Sequence, residues 1–345
     1  MLTRPVLPRL RLLVTLLAVL ALLLSVPMLD VLLPALRPTR LPDIVQSFAT
    51  TFLGIFIEAA PFLLLGSVAS GLLAEFVTAE EIARLFPRNR LAGSLSGALL
   101  GMVFPVCECG VVPVTRRLYQ KGLPISAGVA FLLAAPVVNP VVIASTWAAF
   151  GNAPVFWGRI AFTVLIASGT GLVLGQAPSL TRLLKPRSLQ PVMGGSASLL
   201  PLPPSPQRLE GRLRRALSIA TDDFFDMGRF LVLGSLLAAG MQTFIPQAML
   251  LAIGRDAISS VIALQALAFV LSVCSTVDSF LALSFVNTFT SGSILAFLVF
   301  GPMVDIKSMM MFWQVFRPRA VMYLLTMVFL AAFLMGVFVN YNMAW

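Results

Sequence analysis

Hydrophobic residues run along this chain in nine long stretches that are separated by short polar segments. Each stretch has about 20 residues or more, enough for a helix to cross a hydrocarbon core of about 30 Å. The alternating ten-residue pattern of a membrane β-barrel is absent. The pattern predicts an all-α polytopic membrane protein. The stretches cover approximately residues 11–34, 44–77, 91–118, 122–149, 155–176, 218–245, 257–286, 293–314 and 318–342.

The first stretch resembles a signal peptide because basic residues, including Arg4 and Arg11, precede the apolar run Leu12–Leu24. The run is long, however, and no small-x-small cleavage site follows it. We therefore predict that residues 1–43 form an uncleaved transmembrane helix and a loop.

A segment rich in Pro, Gly and Ser divides the chain. Residues 177–215 are too polar and too rich in these residues to pack, so we predict a flexible cytoplasmic linker. It separates a first transmembrane repeat, 44–176, from a second, 216–345. Three short matches stand in the same order in both halves at offsets of 166–168 residues, which indicates an internal duplication. The matches pair Phe62–Ser67 with Phe230–Ser235, Val106-Cys107 with Val273-Cys274, and Ala130–Asn139 with Ala296–Asp305.

The distribution of basic residues indicates how the halves are oriented. Nine full crossings would place several arginine groups outside, against the positive-inside rule. If 91–118 and 257–286 each enter and leave on one side, nearly all basic segments become cytoplasmic. We therefore predict two inverted-topology repeats, each with a broken or re-entrant helical segment, plus the extra N-terminal transmembrane helix. The alternative is eight or nine full crossings, with 91–118 as a single Pro-kinked helix.

Composition excludes several classes of function. The chain has 59% hydrophobic and 11% charged residues, and its net charge of +10 suits loops that face anionic lipid headgroups. No basic groove with interleaved aromatic residues is present, so we expect the lipid bilayer and not nucleic acid as a partner. The chain has no histidine, so metal binding or proton transfer must use other side chains. Without a nucleotide-binding or hydrolase motif, we expect no resident cofactor and no enzyme activity.

The three cysteines of the chain carry the main chemical signal. Cys107 and Cys109 flank Glu108 between two prolines, where a regular helix is disfavoured, and Cys274 holds the matching position in the second half. Thiolates bind soft centres such as trivalent arsenic, Cu(I) or Zn(II). We predict that Cys107, Cys109 and Cys274 bind such a centre, with Glu108 in the same cavity. A lone cysteine in a membrane helix is often only a small apolar residue, which is the alternative for Cys274.

Polar residues inside apolar stretches are candidates for a substrate path. Asp278 follows Cys274 by four residues, and Asn139 and Asp305 follow matched prolines, so we predict that these three complete the substrate-binding site. Glu58 and Asp226 hold corresponding positions and are predicted to couple protons or to gate. Structural hydrogen bonding is the alternative for Glu58 and Asp226.

The remaining charged residues have simpler interpretations. Lys307 either pairs with acids of the other half or extends to the membrane surface. Arg116 and Arg117 are expected to mark the cytoplasmic end of a hairpin, and Asp222 and Asp223 to lie at the membrane interface.

The segments Pro105–Pro113 and Ala130–Pro140 resemble the signature of the ArsP/YraQ-type predicted permeases, and the resemblance extends over about 44–342. It implies a multi-pass permease of the bacterial inner membrane. Some members export trivalent organoarsenicals such as methylarsenite and carry a motif closer to Cys-Ser-Cys-Gly. Glu108 stands here in place of the small polar residue, which favours a cation or a proton-coupled substrate over a neutral organoarsenical.

Residues and resemblance together predict a secondary-transporter-type permease for a small thiophilic or metal-containing solute, a trivalent organoarsenical or a soft metal ion, with proton-coupled efflux. Two alternatives remain open: uptake of a sulfur-containing anion, and a membrane thiol-redox protein. Assembly as a homodimer or with a partner subunit is also open.

Overall fold

The computed structural model describes residues 41–87, 89–176, 183–185, 209–244, 256–286 and 288–342. The predicted N-terminal helix in 1–43 and most of the predicted linker in 177–215 lie outside the described residues. Contacts divide the chain into two units, Met1–Ser47 and Phe48–Trp345. In the first unit the described residues are the opening turns of one helix.

The described residues form thirteen helices, and their one extended pairing is an isolated bridge between Leu184 and Phe316. The all-α prediction is confirmed. In chain order the helices are α1 Leu41–Phe76, α2 Ala79–Leu85, α3 Arg90–Gly101, α4 Glu108–Gln120, α5 Ile125–Val138, α6 Pro140–Phe150, α7 Pro154–Leu174, α8 Leu209–Phe244, α9 Ser259–Leu271, α10 Asp278–Leu283, α11 Ser291–Met303, α12 Ile306–Val315 and α13 Pro318–Asn342.

Six helical spans among the described residues are long and apolar enough to cross a membrane. Most residues of Ile125–Phe150 and Ser291–Val315 are buried, whereas only about a third of each other span is buried. These two spans therefore form the centre of the molecule, and the other four offer apolar surface to lipid. The other four are Ile44–Phe76, Pro154–Leu174, Leu209–Thr243 and Pro318–Asn342.

Each central span is interrupted near its middle, which the apolar runs of the sequence did not show. The first breaks at Asn139, whose Oδ1 accepts a hydrogen bond from the Val142 N–H at 2.9 Å. The second breaks at Asp305, whose Oδ1 accepts one from the Ser308 N–H at 2.6 Å. These caps satisfy backbone groups that would otherwise be unpaired inside the protein.

The 91–118 segment is a helical hairpin and not one kinked helix. Helix α3 runs parallel to α5, because Gly93 lies against Ser126 and Gly101 lies against Ala135. Helix α4 runs the opposite way, because the tight turn at Gly122 joins its end to the start of α5. The alternative of a single Pro-kinked helix is therefore wrong. Whether this hairpin enters and leaves a bilayer on one side stays a prediction.

The 257–286 segment has the same plan. Helix α9 runs parallel to α11, because the Ser260 and Thr290 hydroxyls are 3.0 Å apart and Gly301 packs on Ala268. It ends at Ser272, which has a left-handed backbone (φ 47°), and the chain resumes as α10. Both halves thus contain a long helix, a broken hairpin, a broken central span and a closing helix. Their inverted relation stays a prediction.

Two matched glycines bring the long helices α1 and α8 against the centre of the molecule. A Cβ on Gly66 would clash with the Cα of Gly110 in α4, and a Cβ on Gly234 would lie 2.9 Å from the Cα of Lys307 in α12. Only glycine allows such close approach of backbones.

We predict that Gly66→Ala destabilises the purified protein by about 1–3 kcal/mol, because the added methyl group meets the α4 backbone. The matched control is Gly54→Ala on the same helix, where the methyl group would have nothing within 4 Å. The measurement is unfolding in detergent micelles. Equal stability of the two variants would show that α1 does not pack on α4 in this way.

Candidate transport site

The tip of the first hairpin carries the Cys-Glu-Cys motif. Cys107 has an extended backbone at the N-terminus of α4, and Glu108 is the first helical residue. Cys107, Glu108 and Cys109 are all at most 6% exposed. The Asn139 side-chain amide fixes this tip by donating to the Val106 carbonyl at 3.1 Å.

Glu108 forms a buried ion pair with the second half of the chain. Its Oε1 lies 3.4 Å from the Nζ of Lys307, and both side chains are at most 3% exposed. Lys307 also lies 3.8 Å from Asp305 Oδ2. Of the two alternatives for Lys307, pairing with an acid of the other half is the one that the structure shows. The pairing makes both charges tolerable at a depth where a lone charge would be very costly.

The third cysteine lies at the tip of the second hairpin, close to the start of α12, which carries Lys307. Two residues before Cys274, the Ser272 hydroxyl accepts a hydrogen bond from the N–H of Ile306 at 3.3 Å, and Ile306 directly precedes Lys307. Its carbonyl accepts from the Asp278 N–H at 3.0 Å, which orders the start of α10. The structure thus brings Cys107, Cys109 and Cys274 into one region as free thiols.

Two buried oxygen atoms at these tips have no hydrogen-bond partner among the described residues. They are Oε2 of Glu108 and Oγ of Ser275. The offset of 167 residues makes Ser275 the counterpart of Glu108 in the second half. Unpaired oxygen atoms at buried positions are acceptors that a bound polar group can use.

The three cysteines do not form a ready-made metal site. Among the described residues, no three Cys, Asp or Glu side chains are arranged to hold a metal ion. The Cys274 sulfur accepts a hydrogen bond from the Thr276 hydroxyl at 3.6 Å. Binding of one centre by all three sulfurs would require this contact to rearrange.

Asp278 is held by an arginine that the sequence analysis missed. The Arg159 guanidinium contacts both carboxylate oxygens, at 2.8 and 3.1 Å, and also the hydroxyls of Ser279 and Thr146. Arg159 is 1% exposed although it lies within an apolar helix. A lone arginine six residues into such a helix was the available signal.

Asp223 forms a second buried ion pair, and its predicted level at the membrane interface stays a prediction. Asp223 is fully buried, and Arg117 binds it with Nη2–Oδ1 and Nε–Oδ2 distances of 2.9 and 3.2 Å. Ser70 donates to its Oδ2 at 2.6 Å. Helix α8 begins at Leu209, inside the predicted linker, so Asp223 lies well within a helix rather than at its start.

Glu58 and Asp226 have different environments although they hold matching positions. Glu58 is half-buried and makes no ion pair with any described residue. Asp226 pairs with Arg229 at 3.1 Å and lies 3.9 Å from Arg116. Within the described part of the chain, no hydrogen bond joins either acid to Glu108, so their predicted roles stay predictions.

Comparison with known proteins identifies the family. A family model described as "Predicted permease" (ArsP_1) matches residues 44–341. The chain belongs to this permease family. It is 45% identical over 279 residues to "UPF0718 protein YcgR" of Bacillus subtilis (strain 168), covering 80% of this chain and 90% of that protein. It is 35% identical over 284 residues to the "Putative two-component membrane permease complex subunit" of Streptococcus mutans serotype c, covering 82% and 91%. No solved structure matches.

The family and the six apolar spans confirm a multi-pass protein of the bacterial cytoplasmic membrane. They also point to a membrane transporter rather than an enzyme. The predicted resemblance to ArsP-type permeases is confirmed.

We predict that Lys307→Met destabilises the protein by about 3–5 kcal/mol, because it leaves the Glu108 carboxylate buried without a partner. The double variant Glu108→Gln with Lys307→Met should recover most of this loss. Unfolding of the purified variants completes the double-mutant cycle. Additive effects of the two substitutions would contradict a direct ion pair.

Proposed function

We propose that this permease moves a small thiophilic solute, a trivalent organoarsenical or a soft metal ion, past the tips of its two hairpins. The observation that carries the proposal is that both hairpin tips, which hold the three thiols of the chain, meet at one buried ion pair that joins the halves. Soft centres bind thiolates in preference to oxygen ligands.

The Glu108–Lys307 pair changes how the charge of the motif is interpreted. The extra carboxylate by itself argues against a neutral organoarsenical. Lys307 offsets that charge at 3.4 Å, so both a neutral and a cationic solute are compatible with the region. Cys107 and Cys109 flank Glu108 at one helix start and are both buried, which favours a solute that two neighbouring sulfurs bind together.

The proposed transport is efflux coupled to protons. With no histidine in the chain, carboxylates are the groups suited to carry the proton. Glu58 is the candidate that the structure supports best, because it lies within the α1 span, is half-buried and has no ion-pair partner among the described residues. Asp226, which is held by arginine, is better suited to gating.

We further propose that this chain works with a partner subunit, because a relative that covers most of the chain is named as a complex subunit. A tagged full-length protein extracted in mild detergent should then co-purify with a second membrane protein at a fixed ratio. Purification as a single component with full transport activity would contradict this.

We predict that proteoliposomes containing the purified protein transport methylarsenite, Cu(I) or Zn(II), and that Cys107→Ser lowers the rate at least about tenfold by removing one sulfur ligand. Cys109→Ser should act similarly. Thr115→Val, a buried substitution in the same helix, is the matched control and should keep the rate.

The four solutes methylarsenite, Cu(I), Zn(II) and thiosulfate are compared side by side in the same vesicles. Transport of thiosulfate alone would favour uptake of a sulfur-containing anion instead. Unchanged transport by a folded Cys107→Ser, Cys109→Ser double variant would overturn the role of the thiols.

A further inference from the structure

Besides the central pair, two further buried ion pairs connect the halves. The first joins Arg117 of α4 to Asp223 of α8, and we call it the inner clamp. The second joins Arg159 of α7 to Asp278 of α10, and we call it the outer clamp. In each clamp both partners are nearly excluded from solvent, and the arginine contacts both carboxylate oxygens.

The clamps share one plan. In each, the returning helix of a hairpin binds the opposite half of the chain. Helix α4 starts at the tip with Cys107, and α10 starts just after the tip with Cys274. The Asp278 N–H is bonded to the Cys274 carbonyl, so the outer clamp also positions that cysteine.

The clamps lie on opposite sides of the tips. Arg117 is nine residues beyond Glu108 on α4, roughly 13 Å along the helix toward the Gly122 turn. Thr146, which Arg159 contacts, lies seven residues beyond Asn139 on the span Ile125–Phe150, roughly 10 Å in the other direction. Because Asn139 bonds to Val106 at the tip, the thiol region lies between the two clamps.

The elements that each clamp joins have few other contacts with each other among the described residues, whereas α8 packs extensively on α12 of its own half. Breaking the inner clamp therefore frees α4 from α8 with few other contacts to lose, whereas breaking the outer clamp also requires α10 to shift against α6, on which it packs. A buried Arg–Asp pair adds little net stability compared with an apolar contact, so its presence suits a contact that must form and break.

We infer that the two clamps are the gates of the thiol site: the inner clamp closes it toward the Gly122 turn, and the outer clamp closes it toward the opposite side. The inference rests on the proposed function. The basic residues near the Gly122 turn place the inner gate toward the cytoplasm. In the structure both gates are closed, which describes an occluded state of the transport cycle.

The native cysteines provide the test, because the chain has only three and all lie between the clamps. A membrane-impermeant charged maleimide is added to one side of vesicles of known orientation, and the rate of labelling is measured. Arg117→Gln with Asp223→Asn should raise labelling about tenfold or more from the cytoplasmic side only. Arg159→Gln with Asp278→Asn should raise it from the outer side only.

Three controls make the test decisive. Arg215→Gln removes an exposed ion pair with Glu75 and should leave both rates unchanged. Arg117→Lys and Arg159→Lys retain the charge but lose the two-pronged contact, so they should give smaller rises on the same sides even if the double variants fail to fold. Elution of each variant as one species on size exclusion confirms folding.

Labelling that rises from the same side for both clamps, from both sides equally, or not at all would overturn the gates. Labelling requires no transported solute. If labelling rises from one side for each clamp but no thiophilic solute is transported, the proposed substrate is refuted and the assignment of the clamps as gates is retained. If a thiophilic solute is transported but labelling rises equally from both sides, the proposed substrate is retained and the assignment of the clamps as gates is refuted.

Discussion

The ion pair between Glu108 and Lys307 is the interaction on which the arrangement of the two halves depends. It joins the first residue of α4 to the start of α12 at a depth where neither charge is stable alone. The surrounding backbone is built to bring these residues together. Gly66 packs against Gly110 beside Glu108, and Gly234 packs against Lys307 itself. The two matched glycines are thus explained by the same constraint.

The same pair explains how thiols and a carboxylate can coexist in the centre of a membrane transporter. Electrostatic interactions are stronger in a medium of low dielectric, so one lysine can offset a carboxylate that would otherwise repel anions and favour cations. Asn139 and Asp305 cap the interrupted central spans and satisfy backbone groups that a bilayer could not satisfy. The same breaks hold the hairpin tips, through the Asn139 amide to the Val106 carbonyl and the Ile306 N–H to the Ser272 hydroxyl. The thiols, the ion pair and the breaks in the helices therefore lie close together in the centre of the protein.

Local signals allowed much of this to be predicted. The prolines around Cys107 predicted a break in 91–118, and the cysteine positions indicated where the tips lie. The partners of Asp278 and Asp223 could not be predicted, because Arg159 and Asp278 are 119 residues apart and Arg117 and Asp223 are 106 apart. The apolar run predicted a helix from 218, whereas the helix begins at Leu209, because the polar residues before 218 also adopt helical structure. Asn139 followed by Pro140 is a typical start of a helix and could have predicted the break. It was not recognised because both residues lie inside a continuous apolar run.

The most direct test of sulfur ligation at this site is arsenic X-ray absorption on the purified permease loaded with methylarsenite. The site predicts sulfur neighbours around arsenic in the native protein and their loss in the Cys107→Ser, Cys109→Ser double variant. Arsenic with only oxygen and carbon neighbours in the native protein, or an unchanged sulfur signal in the double variant, would contradict a thiol site at the Glu108–Lys307 pair.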